Sequence, residues 1–80
     1  MSLYFFDFRQ DGAIIPDTIG TECADDDAAI EEAVAALGEQ AADLLVAYLP
    51  RIEIAYVVRR ADGAHMADAE IVFQVRAAAI

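Results

Sequence analysis

Three residues of the chain have the types from which a catalytic set could be built: Cys23, His65 and Asp68. A cysteine nucleophile needs a neighbouring cation to lower its thiol pKa, and Cys23 has no lysine, arginine or histidine near it in the sequence. His65 follows a predicted turn, where an exposed histidine without a catalytic role is expected. The only serine, Ser2, lies outside any nucleophile motif. The sequence therefore predicts no catalytic residues.

Metal and cofactor binding are not predicted either. One cysteine and one histidine cannot complete a structural zinc site within one chain. The acidic run Asp25 to Asp27 lacks the alternating ligands and the glycine of a calcium-binding loop, and it predicts a helix N-cap instead. The four glycines are isolated, so no phosphate-binding loop is present.

The charge of the chain restricts its partners. Fifteen acidic residues against five arginines and no lysine give a net charge of −10. Such a surface repels nucleic acids and anionic membranes, and it favours solubility or a basic protein partner. A single cysteine, no visible secretory signal and no apolar run of membrane-spanning length indicate a cytoplasmic protein.

The hydrophobic pattern predicts a single domain over residues 1–80. Side chains alternate in strands at about 3–10, 13–19, 51–60 and 65–76, and Asp-Gly pairs at 11–12 and 62–63 predict two tight hairpins. Between about 26 and 49 the apolar spacing is helical, and Pro50 ends the helix. The predicted sheet-facing stripe of this helix is Ile30, Val34, Leu37, Ala41, Leu44 and Tyr48.

These elements predict an α+β fold, a two-layer ββαββ arrangement in which one helix covers one face of a four-stranded antiparallel sheet. Pro16 cannot donate a ladder hydrogen bond, so the second strand should lie at an edge. The order 2-1-3-4 is preferred because it places the aromatic first strand inside the sheet, and 2-1-4-3 stays open. The predicted pairs are Phe8–Ile15, Phe6–Asp17, Tyr4–Ile19, Ile52–Phe73, Ile54–Ile71 and Tyr56–Ala69.

The sheet face away from the helix mixes apolar with charged side chains. An exposed face with many apolar residues is a candidate interface. We expect self-association as a homodimer through this face or through an exposed strand edge, and the alternative is a monomer with scattered apolar surface residues. The candidate interface residues are Leu3, Phe5, Ile14, Val57 and Val72.

The stretches YFFDFRQDG, IIPDTIGTE and DDDAAIEEA resemble an uncharacterised family of short bacterial proteins, a domain of unknown function of the 6894 type. The resemblance covers about the first half of the chain, and the segment 56–70 departs from it. The family implies no established activity, so no functional residue is carried over. The residues that carry the resemblance are Asp7, Gly12, Asp17, Gly20, Thr21 and Glu22.

A second resemblance concerns the segment with Pro16, Asp17 and Gly20. It is similar to Hic-type antitoxins, which neutralise RNA-cleaving toxins, and it implies a basic toxin as partner. The absent catalytic set favours a non-enzymatic interaction or regulatory module. The alternative is an enzyme or ligand binder whose site forms only on oligomerisation, from Asp7, Asp17, Glu22 or His65 at subunit contacts.

Overall fold

The computed structural model describes residues 1–47 and 49–78. In chain order the described elements are β1 (Ser2–Gln10), β2 (Ala13–Ile15), β3 (Thr21–Cys23), α1 (Asp26–Val46), β4 (Arg51–Arg60) and β5 (His65–Gln74). The fold is α+β, as predicted, with α1 on one face of an open antiparallel sheet. Within the described part of the chain, no helix has both the length and the apolar character that crossing a membrane requires.

The sheet has five strands, and the prediction of four is wrong in this respect. The strand path is β2-β1-β4-β5, and β3 also pairs with β1. Only Ala13–Ile15 of the predicted second strand, 13–19, forms a strand, which is β2, and β3 begins beyond its predicted end, at Thr21, on the same edge of β1. The predicted placement of the strand after the helix beside the first strand is confirmed, because β4 pairs with β1.

The early end of the second strand, at Ile15, has a local cause. Phe8 pairs with Ile15 as predicted, but Asp17 leaves the ladder and its side chain accepts a hydrogen bond from the Phe6 N–H at 3.0 Å. Pro16 has no N–H with which to continue the pairing. The ladder resumes with Tyr4 opposite Thr21, two residues later than the predicted Ile19.

Both hairpins follow the Asp-Gly prediction, with one correction. In the first, Asp11 and Gly12 have φ values of 48° and 89° and connect Gln10 to Ala13 in a two-residue turn. In the second, the Arg60 N–H donates to the Ala64 carbonyl at 2.8 Å, so the loop has three residues rather than two. Met66 is then an extra bulged residue that restores the register, and the three predicted β4–β5 pairs are confirmed.

The helix begins as predicted but buries a different face in its first half. Asp25 caps α1, and its side chain accepts a hydrogen bond from the Ala28 N–H at 2.8 Å. The residues packed on the sheet are Ala29, Ala33 and Leu37, whereas the predicted Ile30 and Val34 are 38% and 56% exposed. Tyr48, the last residue of the predicted stripe, lies outside the described residues.

Small side chains explain this choice of face. Ala29 and Ala33 pack in one core cluster with Tyr4, Cys23 and Val58. An alanine face brings the helix axis close to the sheet, and there isoleucine or valine would be too large. Farther along, Leu37 packs on Ile52 and Ile54, with Phe8, Ala41 and Leu44 beside them.

Candidate functional site

The sheet surface opposite α1, here called the open face, carries all five predicted interface residues. Tyr4, Phe6 and Phe8 pack beneath the helix, so strand alternation turns their neighbours on β1 to the other side. On the open face Ile14 and Val72 are 60% and 57% exposed. The remaining three, Leu3, Phe5 and Val57, are half-buried.

Phe5 is covered by an ion pair of its own chain. Arg59 donates two hydrogen bonds to Asp7, from Nε at 2.7 Å and from Nη2 at 3.1 Å, and its guanidinium carbon lies 5.1 Å from the centre of the Phe5 ring. The bonds from Arg59 hold the pKa of the Asp7 carboxyl below its ordinary 3.8, although partial burial opposes them. The Arg59 guanidinium group therefore lies over the Phe5 ring in the geometry of a cation–π interaction.

The loop between β2 and β3 closes over the same end of the open face. Asp17 Oδ1 accepts hydrogen bonds from the N–H groups of Ile19 and Gly20, both at 3.0 Å, and Oδ2 accepts from Phe6. Burial raises the pKa of Asp17, but these backbone donors outweigh it and leave the pKa below 3.8. A Cβ on Gly20 would lie 2.9 Å from Leu3 Cδ1, so the loop packs tightly on β1.

A second ion pair crosses the middle of the open face. Arg9, Ala55 and Glu70 are neighbours in one row across β1, β4 and β5. Arg9 Nη2 and Glu70 Oε1 are 2.5 Å apart, so the pair spans Ala55, which is fully buried. The central open face is thus polar at its surface, with Ile14 and Val72 at its two sides.

The outer edge of β5 is the longest feature of the sheet that the fold leaves unpaired. This strand has ten residues and pairs with β4 on one side only. Val72 lies two residues before its C-terminal end, and Asp68 and Glu70 precede it on the same face. Its backbone groups on the free side are a template for pairing with another strand.

A shallow cleft of about 340 Å³ lies where the start of β1 meets the start of α1. Tyr4 donates its hydroxyl proton to Asp26 Oδ1 at 2.7 Å, and Arg60 Nη2 lies 2.6 Å from Asp26 Oδ2. The hydrogen bond to Asp26, together with burial, raises the pKa of Tyr4 to about 12. A phenol with this pKa is a weak acid and is almost entirely protonated near neutral pH, and all three polar groups are already partnered. The bonds of Asp26 to Tyr4 and Arg60 connect the helix to the sheet, and these three groups do not form a catalytic arrangement.

A comparison with protein-family models identifies the family of the chain. A family model described as "Domain of unknown function (DUF6894)" matches residues 3–78. The chain belongs to this family. The matched region of the DUF6894 domain includes the second hairpin, which lies beyond the half of the chain that carries the sequence resemblance. No curated protein and no solved structure matches the chain.

Four of the six residues that carry the family resemblance have a structural role in this DUF6894 domain. Asp7 orients Arg59, Asp17 holds the loop, Gly20 has a φ of 81° against Leu3 and Phe5, and Gly12 supplies the turn. Among the described residues, all the groups that donate hydrogen bonds to the Asp17 side chain are backbone N–H groups. The Asp-x-x-Gly segment therefore has a structural explanation, because its aspartate holds the loop between β2 and β3 through backbone hydrogen bonds. The similarity to Hic-type antitoxins stays a prediction.

The structure does not assemble Cys23, His65 and Asp68 into one site. His65 Nε2 lies 2.7 Å from Asp68 Oδ1 at the exposed end of β5. Cys23 is buried on β3, on the opposite side of β1 and β4, and burial raises the pKa of its thiol. Among the residues that the structure describes, no group of three or more His, Cys, Asp or Glu residues could hold a metal ion.

The ion pairs of the open face are what the sequence reasoning missed. Strand alternation places Arg59 and Arg9 on this face, but their partners depend on the register between β1 and β4. No turn connects these two strands directly, because α1 intervenes. A partial signal was present in the predicted β4–β5 register, which sets Ala55 opposite Glu70.

Proposed function

We propose that this DUF6894 domain is a non-enzymatic protein-interaction module that self-associates through the free edge of β5. The observation that carries the proposal is the ten-residue edge strand itself, with Val72 57% exposed in its C-terminal half. Two identical edge strands can pair about a two-fold axis and extend the sheet from one copy into the next. The open face is the less favoured route, because Leu3 and Phe5 pack under Gly20 and Arg59.

The direction of the backbone groups defines which residues pair. The Val75 N–H donates to the Pro50 carbonyl at 2.9 Å, so Val75 bonds toward β4. In an antiparallel ladder alternate residues bond the same neighbour. Val72 and Gln74, and before them Asp68 and Glu70, therefore direct their N–H and C=O groups toward the free edge.

Charge complementarity favours a pairing centred on Val72. Val72 then faces the partner's Val72, Glu70 faces the partner's Gln74, and Asp68 faces the partner's Arg76. Asp68 bonds His65 through Oδ1 alone, and Arg76 forms no ion pair with another described residue. A centre at Glu70 would place two glutamates opposite each other, which is destabilising. The bulge at Met66 falls outside the paired segment 68–76.

Sedimentation equilibrium on the wild type and Val72→Pro tests the proposal. Proline removes an N–H that points to the free edge rather than to β4, so the monomer tolerates it while the dimer loses two central hydrogen bonds. The expected result is a dimer for the wild type and for the control Val72→Thr, and a monomer for Val72→Pro. A wild-type protein that stays monomeric at millimolar concentration contradicts self-association. A dimeric Val72→Pro variant contradicts pairing through the free edge of β5.

Salt dependence provides an independent arm of the same experiment. Each copy carries a net charge of −10, so the two copies repel each other over distances that salt screens. We expect dimerisation to strengthen as salt is added.

A cytoplasmic location belongs to the same proposal and is supported by the lone cysteine, which has no intrachain partner for a disulfide.

A further inference from the structure

The outer side of α1 carries an apolar ridge that the fold leaves uncovered. The residues four apart along it, here called the α1 ridge, are all exposed: Ile30, Val34, Gly38, Ala42 and Val46. Val34 and Val46 are 56% and 87% exposed. Rows of side chains four apart are the ridges through which packed helices interlock, so this row has the geometry of a helix-packing surface.

Gly38 lies in the middle of the α1 ridge, and the fold gives no reason for it. A Cβ at this position would meet no atom within 4 Å, so neither the sheet nor a tight turn requires glycine. A glycine inside a helix costs stability relative to alanine. On an exposed helix ridge, a missing side chain permits the backbone of another helix to approach closely.

The charge beside the ridge indicates the chemistry of the occupant. The next row of α1 contains Asp27, Glu31, Glu39 and Asp43, all exposed and none in an ion pair with another described residue. The helix from Asp26 to Val46 contains no basic residue. A second copy docked here would bring two acidic rows together, and anionic lipids and nucleic acids would be repelled as well.

We propose that the α1 ridge docks a cationic amphipathic helix of another protein. The apolar side of that helix packs along the ridge with its closest approach at Gly38, and its lysines or arginines meet the acidic row. This surface is separate from the β5 edge, so the proposal goes beyond self-association and does not depend on it.

A synthetic peptide of leucine and lysine, with leucines at helical spacing, is the probe for this docking. Fluorescence anisotropy measures its binding to the full chain. The matched variants are Val34→Ser on the ridge and Ile14→Ser on β2, which replace apolar residues of 56% and 60% exposure and leave the net charge unchanged. We expect Val34→Ser to weaken binding about tenfold and Ile14→Ser to leave it unchanged.

Gly38→Gln separates docking from stability. Glutamine is the better helix former, so the variant should melt at a higher temperature, yet its side chain fills the place of closest approach and should weaken peptide binding at least tenfold. Added salt should also weaken binding, the opposite of its effect on self-association.

Several results would overturn the proposal. They are no binding of the leucine-lysine peptide, equal binding by Val34→Ser, Gly38→Gln and the wild type, or equal binding of a peptide with the same composition in scrambled order. Equal binding of a peptide in which glutamates replace the lysines would overturn the positive charge that the proposal assigns to the docked helix.

Discussion

The Phe6 N–H donates a hydrogen bond to the Asp17 carboxylate, with 3.0 Å between N and Oδ2, at the place where strand pairing would supply a backbone carbonyl. The other oxygen of Asp17 accepts from Ile19 and Gly20. The Asp17 side chain thus takes the place of strand pairing between β2 and β3 and holds the loop against Leu3 and Phe5. This arrangement determines how much of the open face remains exposed.

Asp17→Ala should destabilise the domain by about 2–4 kcal/mol, because three backbone N–H groups lose a charged acceptor and the hydrogen bonds from Phe6 and Gly20 are partly buried. Asp17→Asn keeps one oxygen acceptor and should cost less. Urea unfolding measures both. Asp62→Ala is the control, since Asp62 accepts a single N–H, that of Ala64, and about 1 kcal/mol is expected. Equal losses for Asp17→Ala and Asp62→Ala would contradict the role of Asp17.

Gly20→Ala should be more damaging than Gly12→Ala. Both glycines have a positive φ, 81° and 89°, so each substitution carries a backbone penalty of about 1–2 kcal/mol. Only Gly20 also has close neighbours, with Leu3 Cδ1 at 2.9 Å and Phe5 Cε1 at 3.1 Å from an added Cβ. Thermal unfolding should show an additional loss of roughly 1–3 kcal/mol for Gly20→Ala. Similar losses in the two variants would show that the loop does not pack on β1.

Tyr4 should ionise with a pKa of about 12 rather than 10, because it donates to the Asp26 carboxylate and is buried. The folded state holds the proton more tightly than the unfolded chain, so stability from this group is present below pH 10 and is lost between about pH 10 and 12. Ultraviolet titration of the phenolate measures this. Asp26→Asn should lower the pKa of Tyr4 from about 12 toward 10, and Tyr4→Phe should remove the phenolate signal near pH 12. Its persistence in Tyr4→Phe would reject the assignment.

Gly38→Ala should raise the free energy of unfolding by about 0.5–1 kcal/mol, since an exposed position in the middle of α1 has room for a methyl group. Chemical denaturation of the isolated domain measures the change. A destabilised variant would mean that Gly38 serves the fold itself, and the reason given for its place in the α1 ridge would be lost.

The parts of the fold that follow from local rules were predictable. The Asp11-Gly12 turn sets Phe8 opposite Ile15, and alternation in β4 and β5 sets Ile54 opposite Ile71, even though a longer loop and the bulge at Met66 compensate for each other near the turn. These features depend on residues adjacent in sequence or joined by one short turn.

Other parts depend on distances that no sequence pattern contains. Burying Ile30 and Val34 would remove more apolar surface from water than burying alanines, yet the close packing of α1 on Tyr4 and Val58 admits only small side chains. The Asp7–Arg59 pair depends in the same way on the β1–β4 register, which is reached only after the helix crosses back over the sheet. The candidate interface residues were assigned to the correct face, but the packing of Gly20 and Arg59 on Leu3 and Phe5 follows from contacts that no sequence pattern contains.

The most direct test of the central claim, self-association through β5, is an exchange of the charges at the two ends of the paired segment. Asp68→Arg and Arg76→Asp each place like charges opposite one another at both ends. Each should weaken dimerisation by roughly 2 kcal/mol, about thirtyfold, because two exposed pairs change from attraction to repulsion worth about 0.5 kcal/mol each way. Glu22→Arg, on β3 at the other side of the sheet, alters the net charge as Asp68→Arg does and should not weaken dimerisation.

The double variant Asp68→Arg/Arg76→Asp keeps the net charge at −10 and restores opposite charges across the pairing. Sedimentation equilibrium of the wild type, the two single variants and the double variant should show a dimer that each single change weakens and that the double change recovers. A double variant as weak as the sum of its single changes, or single variants that dimerise like the wild type, would contradict the pairing of β5 centred on Val72.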